Sequence, residues 1–424
     1  MKIAFFSDCY LDLTGGIVSV INTEKAELER RGHTVYVFSS AYPRSDKIRK
    51  NLAKKHIYPM PSHRFLFRGL TPIAKRSAVL IRYLEKNFPE LRDFDAFYVH
   101  YEASVSVAGL KLAKKYKIPA IQEMHGREDM GETNIIPYGF RTLVASFFNC
   151  YHASSLRQKV QIHRDDYLAP TIAHAKMWEI MVRHANFADY VITPSKQFAA
   201  KLKRYGVTKP IEVLPNGFPD EKIPKNVKPK KYDNSRPLKI IWHSRVSAEK
   251  RMMPFLHALA KIEDNYQLSV YGGGGDYFRA KRFAKNHGIN ARFYNTTSFD
   301  KVYQKLADAD LDVLVSYNFD TFGMTLIEAQ SVGVPVFIAD PDLKEIVPAG
   351  SYILSNNPTS DAMASALRQI YRHPEKIQAM SEAMLKRRDD IKISTKITEL
   401  EKIIKKLSKN SWKNIGIIYN NNYE

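Results

Sequence analysis

The sequence predicts an α/β protein of two domains, each built on a largely parallel sheet, and three observations carry that prediction. Short apolar runs alternate with amphipathic, helix-like stretches along most of the chain. The alternation stops at 219–237, PDEKIPKNVKPKKYDNSRP, a stretch dense in Pro, Lys and Asn without apolar periodicity, and then restarts. At 424 residues and 44% hydrophobic content, the chain is also long enough for two separate cores.

Residues 2–7 (KIAFFS) read as a buried strand, followed by the loop DCYLDLTGG, an amphipathic helix from about Ile17 to Arg31 and a strand, TVYVFSS. A strand, a Gly15-Gly16 turn and a helix make a phosphate-side loop, because residues without side chains let backbone N–H groups approach an anion. From Ile73 to Leu84, apolar residues recur at near-helical spacing with Lys75, Arg76 and Arg82 between them. That stretch suits either a helix lying on an anionic bilayer with snorkelling cations, or a surface helix packed on its own domain. FDAFYV (94–99) and IPAIQEM (118–124) read as further strands around a helix from about Val105 to Tyr116. The second delivers His125-Gly126 at its carboxyl end, where parallel sheets bind ligands. Residues 137–187 are rich in aromatics, Arg and His, and are read as the wall of an acceptor groove. ADYVITPS (188–195) closes the first domain, PIEVLPNG leads toward the second, and 219–237 is a hinge or surface linker.

In the second half, strand 238–243 ends at Ser244-Arg245, with Lys250 five residues further on. Two cations at a strand end can neutralise a departing diphosphate, surface charge being the alternative. Gly272 to Gly275, Gly273 among them, either pass close beneath a nucleotide or make a flexible turn. Helices from about Pro254 to Ile262, from Tyr277 to His287 and up to Ala309 lead to the strand 311–315. Asp308, Asp310 and Asp312 bracket a helix end and the entry to that strand, opposite the ligand-binding end, and are expected to be structural. A polar loop then meets a helix opening at Phe322-Gly323-Met324-Thr325 and stopping at Gly333-Val334-Pro335. Such a helix start presents free N–H groups and partial positive charge to a phosphate. Asp320 just before it and Glu328 just inside it can accept hydrogen bonds from hydroxyls, and hydroxyls beside a phosphate suggest a nucleotide sugar. Finally, Ile393, Ile397, Leu400, Ile404 and Leu407 form one apolar stripe among lysines, suited to packing on the first domain or to membrane contact.

The string Asp320-Thr321-Phe322-Gly323 through Glu328-Ala329 to Gly333-Val334-Pro335-Val336 resembles the Glu-x7-Glu element of retaining nucleotide-sugar glycosyltransferases of family 4, with Asp in the first place. GGI at 15–17 with RGHTVYVF at 31–38 resembles that family's first βαβ unit, and HSRVSAEKR resembles its Gly-Arg-x-x-x-x-Lys element. LKLAKKYKIPAI, the His-Gly at 125 and RYGVTKPIEVLPNG at 204–217 look like the diacylglycerol glucosyltransferase branch. The resemblance implies the GT-B fold: two Rossmann-like domains facing across a cleft, with bounds at 1–207 and 208–390 and a carboxyl-terminal helix and tail, 391–424, packing back on the first. It implies transfer of a hexose, glucose by the branch, from a nucleotide-diphosphate sugar to a lipid such as diacylglycerol, with retention of configuration and with neither a metal nor any other cofactor. In that scheme Gly15, Gly16, Arg245, Lys250 and the helix start Phe322, Gly323, Met324 and Thr325 hold the diphosphate, and Gly273 lies beneath the nucleotide. Glu328 binds ribose hydroxyls, Asp320 and His125 hold the sugar, and His125, Asp320, Arg245 and Lys250 form the catalytic set. Three positions depart from the family pattern: Asp320 for Glu, Ser244 for Gly and Val315 for Pro.

Charge and cysteine content narrow the partners. The net charge of +21 is concentrated in 44–92, with thirteen Lys/Arg against three Asp/Glu, and in 141–204, with ten against four. These stretches point to an anionic membrane surface or acidic glycan, with a merely solubilising surface as the alternative. Nucleic acid is not expected, since no helix-turn-helix, zinc or RRM-like pattern presents the charge. Two cysteines, Cys9 and Cys150, provide neither a disulfide framework nor a metal set. No apolar run approaches the ~20 residues that span a bilayer, and KIAFFS reads as a strand rather than a signal peptide, so a cytoplasmic protein at the inner face of the membrane is expected. The sequence also admits three other readings: the same chemistry on a soluble glycan or protein, a silent GT-B subunit that binds glycan or a partner enzyme, and a nucleic-acid-modifying transferase resting on charge alone.

Overall fold

In the computed structural model the chain forms two compact units, Met1–Pro215 with Ile393–Glu424, and Asn216–Lys392. The structure describes all residues except 10–14, 41–45, 64–72, 128, 130–137, 158, 166–167, 264, 296 and 421–424.

The first unit carries strands β1 (Lys2–Ser7), β2 (Thr34–Ser40), β3 (Ile57–Met60), β4 (Ala96–Val99), β5 (Ala120–Glu123), β6 (Tyr190–Thr193) and β7 (Ile211–Val213). They lie in the order β3-β2-β1-β4-β5-β6-β7, every pair parallel. A parallel sheet covered on both faces needs apolar side chains on both. β1 obliges: Ala4 and Phe6 join Phe38, Leu80 and Phe97 on one side, Ile3 and Phe5 join Ile21, Leu28 and Ile397 on the other. The strand order reverses between β1 and β4, which opens a crevice at their carboxyl ends.

Several expectations change here. The boundary near 207 moves to Pro215 because β7 hydrogen-bonds along β6, so IEV is the first sheet's edge and not a lead into the second domain. β3, inside the basic stretch 44–92, was not anticipated. The helix expected from Ile73 runs from Ser77 to Asn87, with Leu80 and Leu84 fully buried. Its apolar side is therefore used within the unit, which is the second of the two alternatives; residues 64–72, just before it, lie outside the described residues. The carboxyl-terminal stripe also packs inward. Ile393, Ile397, Leu400 and Ile404 are at most 2% exposed against β1 and β2 residues, so the helix Ile393–Asn420 belongs to the first unit's core.

The second unit has β8 (Leu238–Trp242), β9 (Tyr266–Val270), β10 (Ala291–Phe293), β11 (Leu311–Leu314), β12 (Val336–Ile338) and β13 (Tyr352–Leu354), in the order β10-β9-β8-β11-β12-β13, again all parallel. This is the doubly wound order, and its switch point lies between β8 and β11. The stretch 219–237 is not a free linker. Phe218 just before it is buried with Phe322, Ile327 and Ile391, Tyr232 is buried in the main core, and Lys230 N–H donates to Ser381 Oγ at 2.8 Å.

Candidate functional site

The chain crosses the second switch point twice, and both crossings carry charged groups. After β8 come His243, Ser244 and Arg245, then a short turn to Lys250; after β11 come Ser316, the loop to Asp320, and the helix Met324–Ser331. Lys250 Nζ donates to both Asp320 oxygens, at 2.6 and 2.8 Å, and each side chain is 13% exposed. Ser316 Oγ also donates to Asp320, and Asp340 accepts from Asn318 N–H at 2.5 Å, which pins the loop between them. A bidentate ammonium–carboxylate pair at this depth holds both groups in one place. Arg245 differs: its side chain is 61% exposed and pairs with Glu249 at 3.1 Å.

The helix Met324–Ser331 opens at Gly323, whose φ of 78° is left-handed, and a Cβ there would come within 2.8 Å of Leu314. The first N–H groups of a helix have no intrahelical acceptor, so this start can receive an anion. Phe322 does not face outward as a donor-binding side chain. Its ring is 5% exposed and packs with Phe218, Ile327 and Ile391, with Met324 against the same cluster, so it anchors the helix start from beneath.

The glycine run after β9 is explained by its neighbours. At Gly272 a Cβ would lie 2.2 Å from the Ser244 carbonyl oxygen, and at Gly274 2.4 Å from that of Val246, both at φ 148°. Gly273 itself accepts from Val246 N–H at 2.9 Å. The loop after β9 thus lies directly on the loop that carries Arg245.

Sequence reasoning missed His243. Its ring is 3% exposed and lies 2.9 Å from Asp312 and 3.2 Å from Glu328. Burial works against its charge, but Asp312 together with Glu328 outweighs burial and lifts the imidazole to about 10. His243 is therefore a cation that positions Glu328. Asp312, read as structural and remote from the ligand end, reaches the site through it. Asp310 is structural as expected: it accepts two hydrogen bonds from Arg236, at 2.5 and 2.8 Å, and one from Lys239 N–H. A signal was present in the pattern, since a histidine at a strand end faces the crevice by the argument already used for His125.

In the first unit the helix begins at Gly16, with Gly15 extended before it and open space where a Cβ would stand. At the end of β5, His125 Nε2 lies 3.1 Å from His100 Nδ1. Burial, aided by the charge of Lys396 and opposed by Glu123, lowers the His125 imidazole to about 4, so it is a neutral hydrogen-bonding group. Behind it is a network the sequence did not disclose. Lys396 Nζ lies 2.5 Å from Glu24 Oε1 and 2.7 Å from Glu123 Oε1, and Tyr98 donates to the other Glu123 oxygen. One ammonium faces two carboxylates. Burial and the Glu123 charge hold Glu24 above the usual carboxylate range; burial also works against charge on Glu123, but Lys396 and the two histidines outweigh it. His100, Glu123 and His125 bring donor atoms within 4.8 Å of one another, the spacing of a metal site. Both Glu123 oxygens are, however, engaged by protein donors, one of them an ammonium.

Within the second unit the structure thus joins Lys250 to Asp320, His243 to Glu328, and the glycine run to the Arg245 loop. His125, Gly15 and Gly16 belong to the first unit. Comparison with known proteins extends this picture. The family described as Glycosyltransferase Family 4 matches residues 14–222, and that described as Glycosyl transferases group 1 matches 224–387. The chain is 25% identical over 394 residues to the alpha-monoglucosyldiacylglycerol synthase of Streptococcus pneumoniae, covering 87% of this chain and 75% of that protein. It is 22% identical over 361 residues to the protein of the same name from Acholeplasma laidlawii, covering 81% of each. Among solved structures, Anabaena HepE in complex with UDP and glucose superposes with a TM-score of 0.67 at 17% identity, over 96% of this chain and 100% of that one. The lipopolysaccharide outer core galactosyltransferase WaaB, in its apo form, superposes with a TM-score of 0.59 at 17% identity, over 95% and 98%. With the two family matches following one another along nearly the whole chain, and two doubly wound sheets beneath them, the protein belongs to the GT-B glycosyltransferases, pairing a family 4 amino-terminal domain with a group 1 carboxyl-terminal domain.

Proposed function

We propose that this glycosyltransferase moves a hexose, glucose, from a nucleotide-diphosphate sugar to a lipid acceptor of the diacylglycerol type, with retention of configuration and without a bound metal. The observation that carries the donor half is the Lys250–Asp320 pair beside the Gly323 helix start. On donor binding the pyrophosphate takes the Lys250 ammonium and the helix N–H groups, and a sugar hydroxyl takes the Asp320 carboxylate that Lys250 leaves. Arg245, exposed at the same strand end, swings from Glu249 to the diphosphate. Glu328, held by His243, accepts from ribose hydroxyls. As the bond to the sugar breaks, negative charge grows on the leaving phosphate, and these preplaced cations stabilise it more than they stabilise the ground state. Neutral His125 accepts or donates a hydrogen bond at the sugar without competing for the phosphate. In this scheme no covalent glycosyl-enzyme forms; the leaving phosphate takes the acceptor proton as the new bond forms on the same face. The Anabaena neighbour crystallised with UDP and glucose supports a uridine donor, and the two diacylglycerol-named relatives support the acceptor.

The test is a donor and acceptor screen read by mass spectrometry, offering UDP- and GDP-hexoses with diacylglycerol in mixed micelles and with soluble glycans. Glucose transferred from UDP-glucose to diacylglycerol is the expected product, and a product only on soluble acceptors overturns the lipid reading. In the same assay Lys250→Ala is expected to lower kcat by about 100- to 1000-fold, the usual loss when a preplaced donor to a developing anion is removed, and Arg245→Ala to lower it as well. Near-normal rates in both remove the leaving-group argument.

A further inference from the structure

We infer that the helix Arg141–Phe148 is the surface by which this chain docks on an anionic lipid bilayer, with Phe140, Leu143 and Phe147 as the inserting side chains. The inference rests on the lipid-acceptor reading and gives it a place on the molecule.

Large apolar side chains are rarely left in water side by side. Phe140, Leu143 and Phe147 are 62%, 69% and 54% exposed, and Ile172, at the start of the adjoining helix Ile172–Phe187, is 50% exposed. Spacings of three and four place the first three on one side of a helix. The opposite side does the packing: Ala145 is buried with Ala153, Ala173, Met177 and Ile180, and Phe148 rests against them. The outward face is therefore distinct from the face that joins the core.

What surrounds this face selects its partner. Phe147 stacks on Tyr151, with ring centroids 5.5 Å apart, and Tyr151 takes the Arg76 guanidinium over its ring at 5.4 Å. The Tyr151 hydroxyl also lies 2.8 Å from His63 Nε2 and donates to the Ala74 carbonyl at 3.2 Å. Exposed Lys75 and Arg76 are thereby held beside the aromatic face, and the chain's two most basic stretches, 44–92 and 141–204, meet at this point. A short helix with apolar side chains outward and cations alongside matches a bilayer interface, where rings enter the acyl boundary and the cations stay with anionic headgroups. The helix Ser77–Asn87 cannot take this role, because Leu80 and Leu84 are in the core.

The test compares the wild-type chain with F140S/L143S/F147S in sedimentation with vesicles of phosphatidylglycerol and phosphatidylcholine, and with phosphatidylcholine alone. UDP affinity by calorimetry and thermal melting by circular dichroism serve as controls on the fold. Wild type is expected to bind the anionic vesicles and not the neutral ones. The triple variant is expected to lose at least about tenfold in vesicle affinity, with UDP affinity held within about twofold. Wild-type-like vesicle binding by the variant overturns the inference. So does a change from dimer to monomer by light scattering with vesicle binding unaltered, which would assign the face to a second copy of this chain. If wild type ignores the vesicles yet glucosylates diacylglycerol in micelles, docking fails and the proposed reaction stands. If docking behaves as expected but no lipid is glycosylated from any donor, the reaction fails and the docking surface stands.

Discussion

His243 shows what one buried side chain can do for the carboxylates around it. An imidazole 3% exposed between Asp312 and Glu328 is held protonated, and its charge keeps Glu328 in position at the carboxyl end of the second sheet. The consequence for stability has a definite sign. An unfolded histidine titrates near ~6.5, while the folded one is lifted to about 10, so the folded state binds the extra proton between those values. The stabilisation is complete below about pH 6.5 and is lost as pH rises through about 10. Urea unfolding should show the second unit losing on the order of a few kcal/mol between pH 6.5 and 10, and His243→Gln should flatten that slope. An unchanged slope in the variant would mean that the ion pair is not formed.

Among the elements, strands and helix starts were readable where their causes are local. Gly15-Gly16 before a helix, Gly323 at a left-handed start, and the apolar runs of β1, β8 and β11 all follow from short stretches of chain. The glycine run 272–275 reads from sequence either as a close approach beneath a nucleotide or as a flexible turn, and the contact with the protein's own backbone is not legible there. Its neighbour is the protein's own Ser244–Val246 backbone, so the glycines fit one strand-end loop against another. Gly274→Ala, with its Cβ 2.4 Å from the Val246 oxygen at φ 148°, must push that loop aside. Strain of this kind costs about 1 to 3 kcal/mol. Titration with UDP should show at least a tenfold weaker complex, whereas wild-type affinity would show that the two loops move independently. The helix Arg141–Phe148 was illegible for the opposite reason: aromatic composition does not say which residues the neighbouring helix covers.

The whole molecule adds constraints that join distant parts of the chain. The last helix returns to the first unit and delivers Lys396 between Glu24, on the helix that starts at Gly16, and Glu123, two residues before His125. Removing that ammonium leaves the Glu123 carboxylate buried without its main counter-charge, beside a Glu24 that burial and Glu123 hold above the usual carboxylate range. Lys396→Met should therefore destabilise the first unit by roughly 3 to 5 kcal/mol, the usual cost of breaking a buried ion pair, as read from urea unfolding. E24Q/E123Q/K396M, which removes the whole set, should recover part of the loss. If Lys396→Met alone is neutral, the network does not contribute to the fold.

By itself the sequence determined the alternation of strands and helices, the glycine-led helix starts, the family, and the placing of Lys250 after one strand and of Asp320 and Glu328 after another, because periodicity, turn chemistry and motif spacing are properties of contiguous residues. Only the tertiary structure decided that β7 closes the first sheet, that Asp312 works through His243, that Lys396 balances Glu24 and Glu123, and that Phe140, Leu143 and Phe147 face outward. The physical reason is common to all four. Neutralising a buried charge, pairing an edge strand and covering an apolar face are each accomplished by whatever packing brings within a few ångströms, and separation along the chain does not encode that distance.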